Sequence, residues 1–237
     1  MSTFQIQDTV GNVVARKPAL SRIFEQEGID YCCGGKKTLN EVCQKKGIDP
    51  QALLATLEAS LSTSTEEPTV DPASMTLTQL ADHIEQTHHA YLNAELPRLN
   101  MMTEKVASVH GDTNESLHAI RQTFLAMAQE LLSHMMKEEQ ILFPMVRQME
   151  SDEPAAASHC GSIANPIRQM EAEHDIAGSA LEKLNELTEG YTPPNWACNT
   201  YRAMLDGLSH LESDLHQHIH KENNVLFPRA IEMEKEI

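Results

Sequence analysis

The sequence predicts an all-α protein: an antiparallel up-down-up-down four-helix bundle with a small helical N-terminal domain. Three observations predict it. Aromatic residues are only 4% of the 237, and strand-type runs of Val, Ile and Thr are scarce, which disfavours an all-β domain. Four long segments, about 76–108, 114–149, 163–190 and 196–233, are helical in periodicity and joined by short connections. An eleven-residue pattern recurs in the second and fourth of them.

Turn signals separate the four segments: His110-Gly111-Asp112 with Asn114, then Ser151-Asp152-Glu153-Pro154, then Gly190 with Pro193-Pro194. Pro97, Pro144 and Pro228 fall late in three segments, where proline kinks or ends a helix. Upstream, Ser60–Ser74 is polar with two prolines and too poor in apolar side chains to repay its ordering, so residues 60–75 are expected to form a linker. Residues 1–59 form the small unit, with short helices punctuated by Pro18, Gly28, Gly34-Gly35, Gly47 and Pro50. Residues 51–59 read as its last helix, and residues 76–237 are assigned to the bundle. So small a unit is marginal alone and needs a packing surface, which a homodimer would supply.

Composition excludes several functions. Eighteen basic against 35 acidic residues give a net charge of −17, with no basic face for nucleic acid or for an anionic membrane surface. No stretch approaches the roughly 18 apolar residues of a membrane span, and the N-terminus has neither a basic nor an apolar leader region. Five cysteines are too few and too irregular for a disulfide framework and suit a reducing compartment, so a cytoplasmic protein is expected. Twelve histidines in so acidic a chain point to metal.

The repeat locates them. His134 to Pro144 and His218 to Pro228 both fit H-x-x-K-E-x-x-[IV]-L-F-P, 84 residues apart. The first and third segments each carry one matching histidine, His89 and His174, 85 apart. Positions i and i+4 share a helix face, so His134 with Glu138, and His218 with Glu222, point the same way. With His89 and His174 this gives four imidazoles and two carboxylates converging from two pseudo-equivalent helical hairpins. Such a set suits two ions of iron, manganese or zinc, carboxylates spanning them and imidazoles terminating each. Six ligands leave coordination positions for a small diatomic.

The remaining side chains near the motif receive lesser expectations. Leu142, Phe143, Leu226 and Phe227 read as core, and Lys137 and Lys221 as solvated. His88 points about 100° from His89, and His220 points away from the site of His218. His83, His110, His118, His159, His210 and His216 read as surface residues. One turn before the ligands, Glu85, Glu130 and Asp214 are candidates to orient the imidazoles.

Three passages carry a resemblance: Asp30-Tyr31-Cys32-Cys33-Gly34-Gly35-Lys36, the motif from His134, and Glu222-Asn-Asn-Val-Leu-Phe-Pro-Arg. Residues 76–237 resemble hemerythrin-like di-iron bundles. The whole chain is similar to the iron-sulfur cluster repair proteins of the Repair of Iron Centres family. The resemblance implies two iron ions bound by His89, His134, Glu138, His174, His218 and Glu222, with Glu138 and Glu222 bridging. That ligand set is one histidine short of the oxygen-carrying hemerythrins. It also implies repair of clusters in iron-sulfur proteins damaged by nitrosative or oxidative stress, by iron donation, by reduction of nitric oxide, or both. The alternative is a hemerythrin-type protein that binds or senses oxygen or nitric oxide reversibly.

Cys32 and Cys33 admit two readings. Adjacent cysteines form only a strained, easily reduced ring, and the glycines and Lys36-Lys37 suggest a flexible loop that favours thiolate. Redox, transnitrosation or iron transfer would follow; a buried structural pair is the other reading. The resemblance favours the first. Cys43, Cys160 and Cys198 are expected to be inert.

Overall fold

The structure, a computed structural model, describes residues 4–63, 71–151 and 161–236. Cys160, His159 and residues 64–70 of the expected linker lie outside the described residues. Among those described the regular structure is helical: α1 (Val10–Arg16), α2 (Ser21–Gln26), α3 (Leu39–Lys46), α4 (Pro50–Thr63), α5 (Leu77–Ile84), α6 (Ala90–His110), α7 (Ser116–Lys137), α8 (Phe143–Met149), α9 (Ala164–Leu187), α10 (Asn199–Lys221) and α11 (Phe227–Glu236). No described helix is long and apolar enough to cross a membrane. The chain divides into two compact units: Ala81–His218, and the residues up to Leu80 together with those from Ile219 onward.

In the larger unit, α6, α7, α9 and α10 each commit one apolar stripe to a shared core, as an amphipathic helix must. Leu92, Leu96 and Leu99 come from α6, Phe124, Met127 and Leu131 from α7, Leu181 and Leu184 from α9, and Leu205, Leu208, Leu211 and Leu215 from α10. Thr188 ends α9: its hydroxyl donates to the Leu184 carbonyl and accepts the Tyr191 N–H, while Gly190 takes φ 68°.

The smaller unit has its own core of Phe4, Val10, Val13, Leu20, Phe24, Tyr31, Leu39, Leu53 and Leu57. α3 begins with a capping box, Thr38 Oγ1 accepting the Glu41 N–H while Glu41 Oε2 accepts the Thr38 N–H, and ends at Gly47 in a left-handed conformation. α4 runs on to Thr63, past residue 59, and Pro72–Ser74 form a 3₁₀ turn, so part of the expected linker is regular. Arg229 of α11 donates to the Met75 carbonyl, and α1 packs on residues Glu222–Leu226. The C-terminal turns are thus grouped with the N-terminal helices by contact rather than by sequence.

Candidate metal centre

The repeated motif builds the same local device twice. Between α7 and α8 lies a π-helical turn, Glu138–Leu142, in which the Phe143 N–H donates to the Glu138 carbonyl five residues back. Between α10 and α11 lies another, Glu222–Leu226, with the Phe227 N–H on the Glu222 carbonyl. Pro144 and Pro228 explain them. A proline has no N–H for the carbonyl four residues back and its ring crowds that carbonyl, so the backbone widens by one residue and helicity continues. These prolines neither end nor interrupt their segments. A third π turn, Glu85–His89, precedes α6 without a proline in it. His89, Glu138 and Glu222 all sit on these widened turns.

His89, His134, Glu138, His174, His218 and Glu222 are all buried, none more than 4% exposed. They fall into two groups whose ligand atoms lie within 4.8 Å of one another: His89 with His218, and His134 with His174, each joined by Glu138 and Glu222. Glu138 Oε2 lies 3.3 Å from His89 Nε2, and Glu138 Oε1 lies 3.3 Å from His134 Nε2. His174 Nε2 is 3.0 Å from His134 Nε2.

The arrangement asks for cations. His134 Nδ1 faces Glu173 Oε2 at 2.8 Å, and His89 Nδ1 faces Glu139 Oε1 at 2.8 Å. Those carboxylates claim the Nδ1 protons and leave each neutral ring's Nε2 lone pair directed at Glu138. Lone pair then meets carboxylate oxygen in a dry interior, an arrangement that a bound cation relieves. Two nitrogens per group and two shared carboxylates suit two iron ions, which the residues present therefore fit.

Two carboxylates that orient the imidazoles were missed, and the expected ones act elsewhere. Glu85 pairs with Arg147 at 2.9 Å, Asp214 accepts from His88 Nδ1 at 2.8 Å, and Glu130 is exposed. The reason is directional: a side chain one turn earlier on the same helix lies beside the ring, whereas Glu139 and Glu173 reach Nδ1 from a facing helix. Lys137 is not simply solvated; its ammonium pairs with Glu173. Burial raises the Glu173 pKa, but hydrogen bonds from Gln169, Lys137 and His134 outweigh it and hold the carboxyl at about 2. His88 is turned from the cluster as expected, yet stacks on His218, rings 5.1 Å apart and 1° from parallel. His110 is half-buried against Cys198, Nε2 to Sγ 3.3 Å, rather than a plain surface residue.

Within the smaller unit, the Asp30–Gly35 loop is held rather than loose. Asp30 Oδ1 accepts the Cys32 N–H at 3.0 Å and Oδ2 the Gly34 N–H at 2.7 Å. A Cβ on Gly34 would meet Asp30 Oδ2 at 2.8 Å, so the carboxylate's approach requires that glycine. Asn224 Nδ2 donates to the Tyr31 and Cys32 carbonyls at 3.3 and 3.1 Å, and a Cβ on Gly35 would overlap Asn224 Oδ1 and come 2.7 Å from the Tyr31 carbonyl. His220 is buried here beside the Tyr31 carbonyl, and burial lowers its pKa to about 4. Cys32 and Cys33 form no disulfide; their sulfurs are 3.8 Å apart. The expected thiolate is not favoured at Cys32: the Cys33 thiol, burial and then Asp30 push its pKa up. Cys43 lies in the core and Cys198 is exposed.

Residues 80–230 match the model of the Hemerythrin HHE cation binding domain, and residues 6–61 match a Domain of Unknown function (DUF542). The chain is 40% identical over 226 residues to the iron-sulfur cluster repair protein YtfE of Yersinia pseudotuberculosis serotype O:1b (strain IP 31758), covering 94% of this chain and 96% of that one. The same figures hold for the protein of that name from Yersinia pestis (strain Pestoides F).

Proposed function

The chain belongs to the iron-sulfur cluster repair proteins, and from that premise we propose that a di-iron centre on His89, His134, Glu138, His174, His218 and Glu222 drives the repair, with Cys32 and Cys33 as transfer or redox thiols. Damaged iron-sulfur proteins are the targets. The observation that carries the reading is Glu138, whose two oxygens each stand 3.3 Å from a different imidazole. A carboxylate so placed would reach an ion beside each ring.

When bound, iron supplies a place for nitric oxide and electrons for its reduction, and it can be surrendered, since imidazole and carboxylate hold it less firmly than thiolate. The protein's own groups set the terms. Glu139 and Glu173 fix the tautomer and direction of His89 and His134, and Lys137 anchors Glu173. Phe143 lies over His89, ring centroids 5.7 Å apart, and with Leu142 and Val146 presents a buried apolar wall. Among the described residues Cys32, Cys33, Cys43 and Cys198 are free thiols, the state that the proposed cytoplasmic setting calls for.

The test is recovery of a nitric oxide-damaged iron-sulfur enzyme, read beside iron content. Glu138→Leu/Glu222→Leu should lose both iron and recovery. Cys32→Ala/Cys33→Ala should keep its iron and lose recovery; unchanged recovery removes the thiols from the mechanism. Iron content indifferent to the two glutamates overturns the dinuclear reading.

A further inference from the structure

Two thiols and a carboxylate meet at the head of the Asp30–Gly35 loop, in the smaller unit. Cys32 Sγ is 3.8 Å from Cys33 Sγ and 3.3 Å from Asp30 Oδ1, and one ligand atom from each residue lies within 4.8 Å of the others. With metal–sulfur and metal–oxygen bonds of about 2.3 and 2.0 Å, a tetrahedral ion has an S···S edge of about 3.8 Å and an S···O edge of about 3.5 Å. Two edges of a tetrahedral face, S···S and S···O, are therefore already in place, and the third pair lies within 4.8 Å.

We infer that Asp30, Cys32 and Cys33 form a mononuclear site for a thiophilic divalent cation of the zinc or ferrous class, with its fourth coordination position open to an exogenous ligand.

Three features support it. The first is the main chain: Asp30 accepts the Cys32 and Gly34 amides, and Asn224 grips the Tyr31 and Cys32 carbonyls, so the three donors are preorganised. Each Asp30 oxygen accepts one N–H and keeps a second lone pair for an ion. The second is charge: the Cys32 thiol now donates to Asp30 Oδ1, a proton standing where the cation would be, and crowding by Cys33 and Asp30 disfavours its thiolate until a positive charge arrives. The third is access, for Cys33 is partly exposed while Cys32 is buried, leaving one side of the face toward solvent. Binding is a simple exchange: one M²⁺ enters, two thiol protons leave to the buffer, and no electron moves. Three protein ligands with an open fourth position mark a site that can pass its ion on, whereas four would close it.

This site rests on the loop's geometry and not on the repair reading, so each can fail alone. The experiment titrates Co²⁺ anaerobically into iron-loaded full-length protein and follows thiolate-to-cobalt charge-transfer absorption, to which the histidine–carboxylate centre cannot contribute. A Cys43→Ala/Cys160→Ser/Cys198→Ser background removes the other thiols. One equivalent of Co²⁺ should produce the band in parent and background, with about two protons released, and Zn²⁺ or Fe²⁺ should displace it. Cys33→Ser, whose thiol is not part of the core, should abolish the band with helicity and iron content retained. Asp30→Asn keeps an oxygen for one of the two loop amides and should weaken binding by at least about tenfold, since even a residue one step removed from a metal is worth that much. No band in the parent, a band that survives Cys33→Ser, or undiminished affinity in Asp30→Asn would each overturn the site.

Discussion

The two hairpins of the bundle carry the same motif and the same widened turn, yet wire them differently. In the first, the ligands His89 and His134 each present Nδ1 to a carboxylate at 2.8 Å, Glu139 and Glu173. In the second, the position equivalent to Glu173 is His88, a flat ring stacked on His218, and those equivalent to Glu139 and Gln140 are Asn223 and Asn224. Asn224 spends its carboxamide on the dithiol loop. The repeat thus specifies ligands, while the positions it leaves variable decide what each half is connected to. A carboxylate on Nδ1 makes an imidazole the stronger donor, so within each ligand group the first hairpin's histidine should be the firmer ligand.

The largest effect should come from what the two ligand groups share. Glu138 belongs to both ligand groups, so Glu138→Leu should strip both ions, whereas His174→Leu should cost chiefly the ion of its own group; metal analysis of purified protein decides it. Equal loss in the two variants would break the picture of two positions under one carboxylate. Next comes the tethering. Glu139→Gln and Glu173→Gln should each lower iron affinity by about 10–100-fold, measured by competition with a chelator. An effect for Glu139 but none for Glu173 would confine the contrast to a single histidine.

Smaller effects test the second half's connection. Gly35→Ala would drive a Cβ against the Tyr31 carbonyl and the Asn224 carboxamide, and overpacking of that kind costs about 1–3 kcal/mol, visible in a denaturant midpoint. Asn224→Ala removes one donor from each of two carbonyls and should cost about 1–2 kcal/mol with iron content unchanged. If Asn224→Ala instead releases iron, the loop and the ligand turn are one unit rather than neighbours.

Much of this was legible in the sequence, for reasons tied to particular residues. His134, Glu138, His218 and Glu222 were readable because i and i+4 on a helix share a face whatever surrounds them, and because the pattern occurs twice. The partners of Nδ1 were not, since Glu139 and Glu173 approach from other helices and no spacing along one helix reports a contact across to the next. Nor was Asn224, which looks like an unconstrained position inside the motif until the loop it holds is seen. Lys36 and Lys37 pointed toward thiolate at Cys32, but the Cys33 thiol, burial and Asp30 outweigh them there.

The widened turn has a metric consequence. An extra residue inserted in an α-helix advances the rotation of everything after it by about 100°. Leu142, Phe143 and Val146 face the core only with that residue counted in. Deleting one residue from 139–141 would close the turn to an ordinary α-helix and swing Phe143 off His89. The interval from the glutamate to the Phe-Pro pair is therefore a ruler: residues 139–141 and 223–225 differ in identity at every position, and not at all in number.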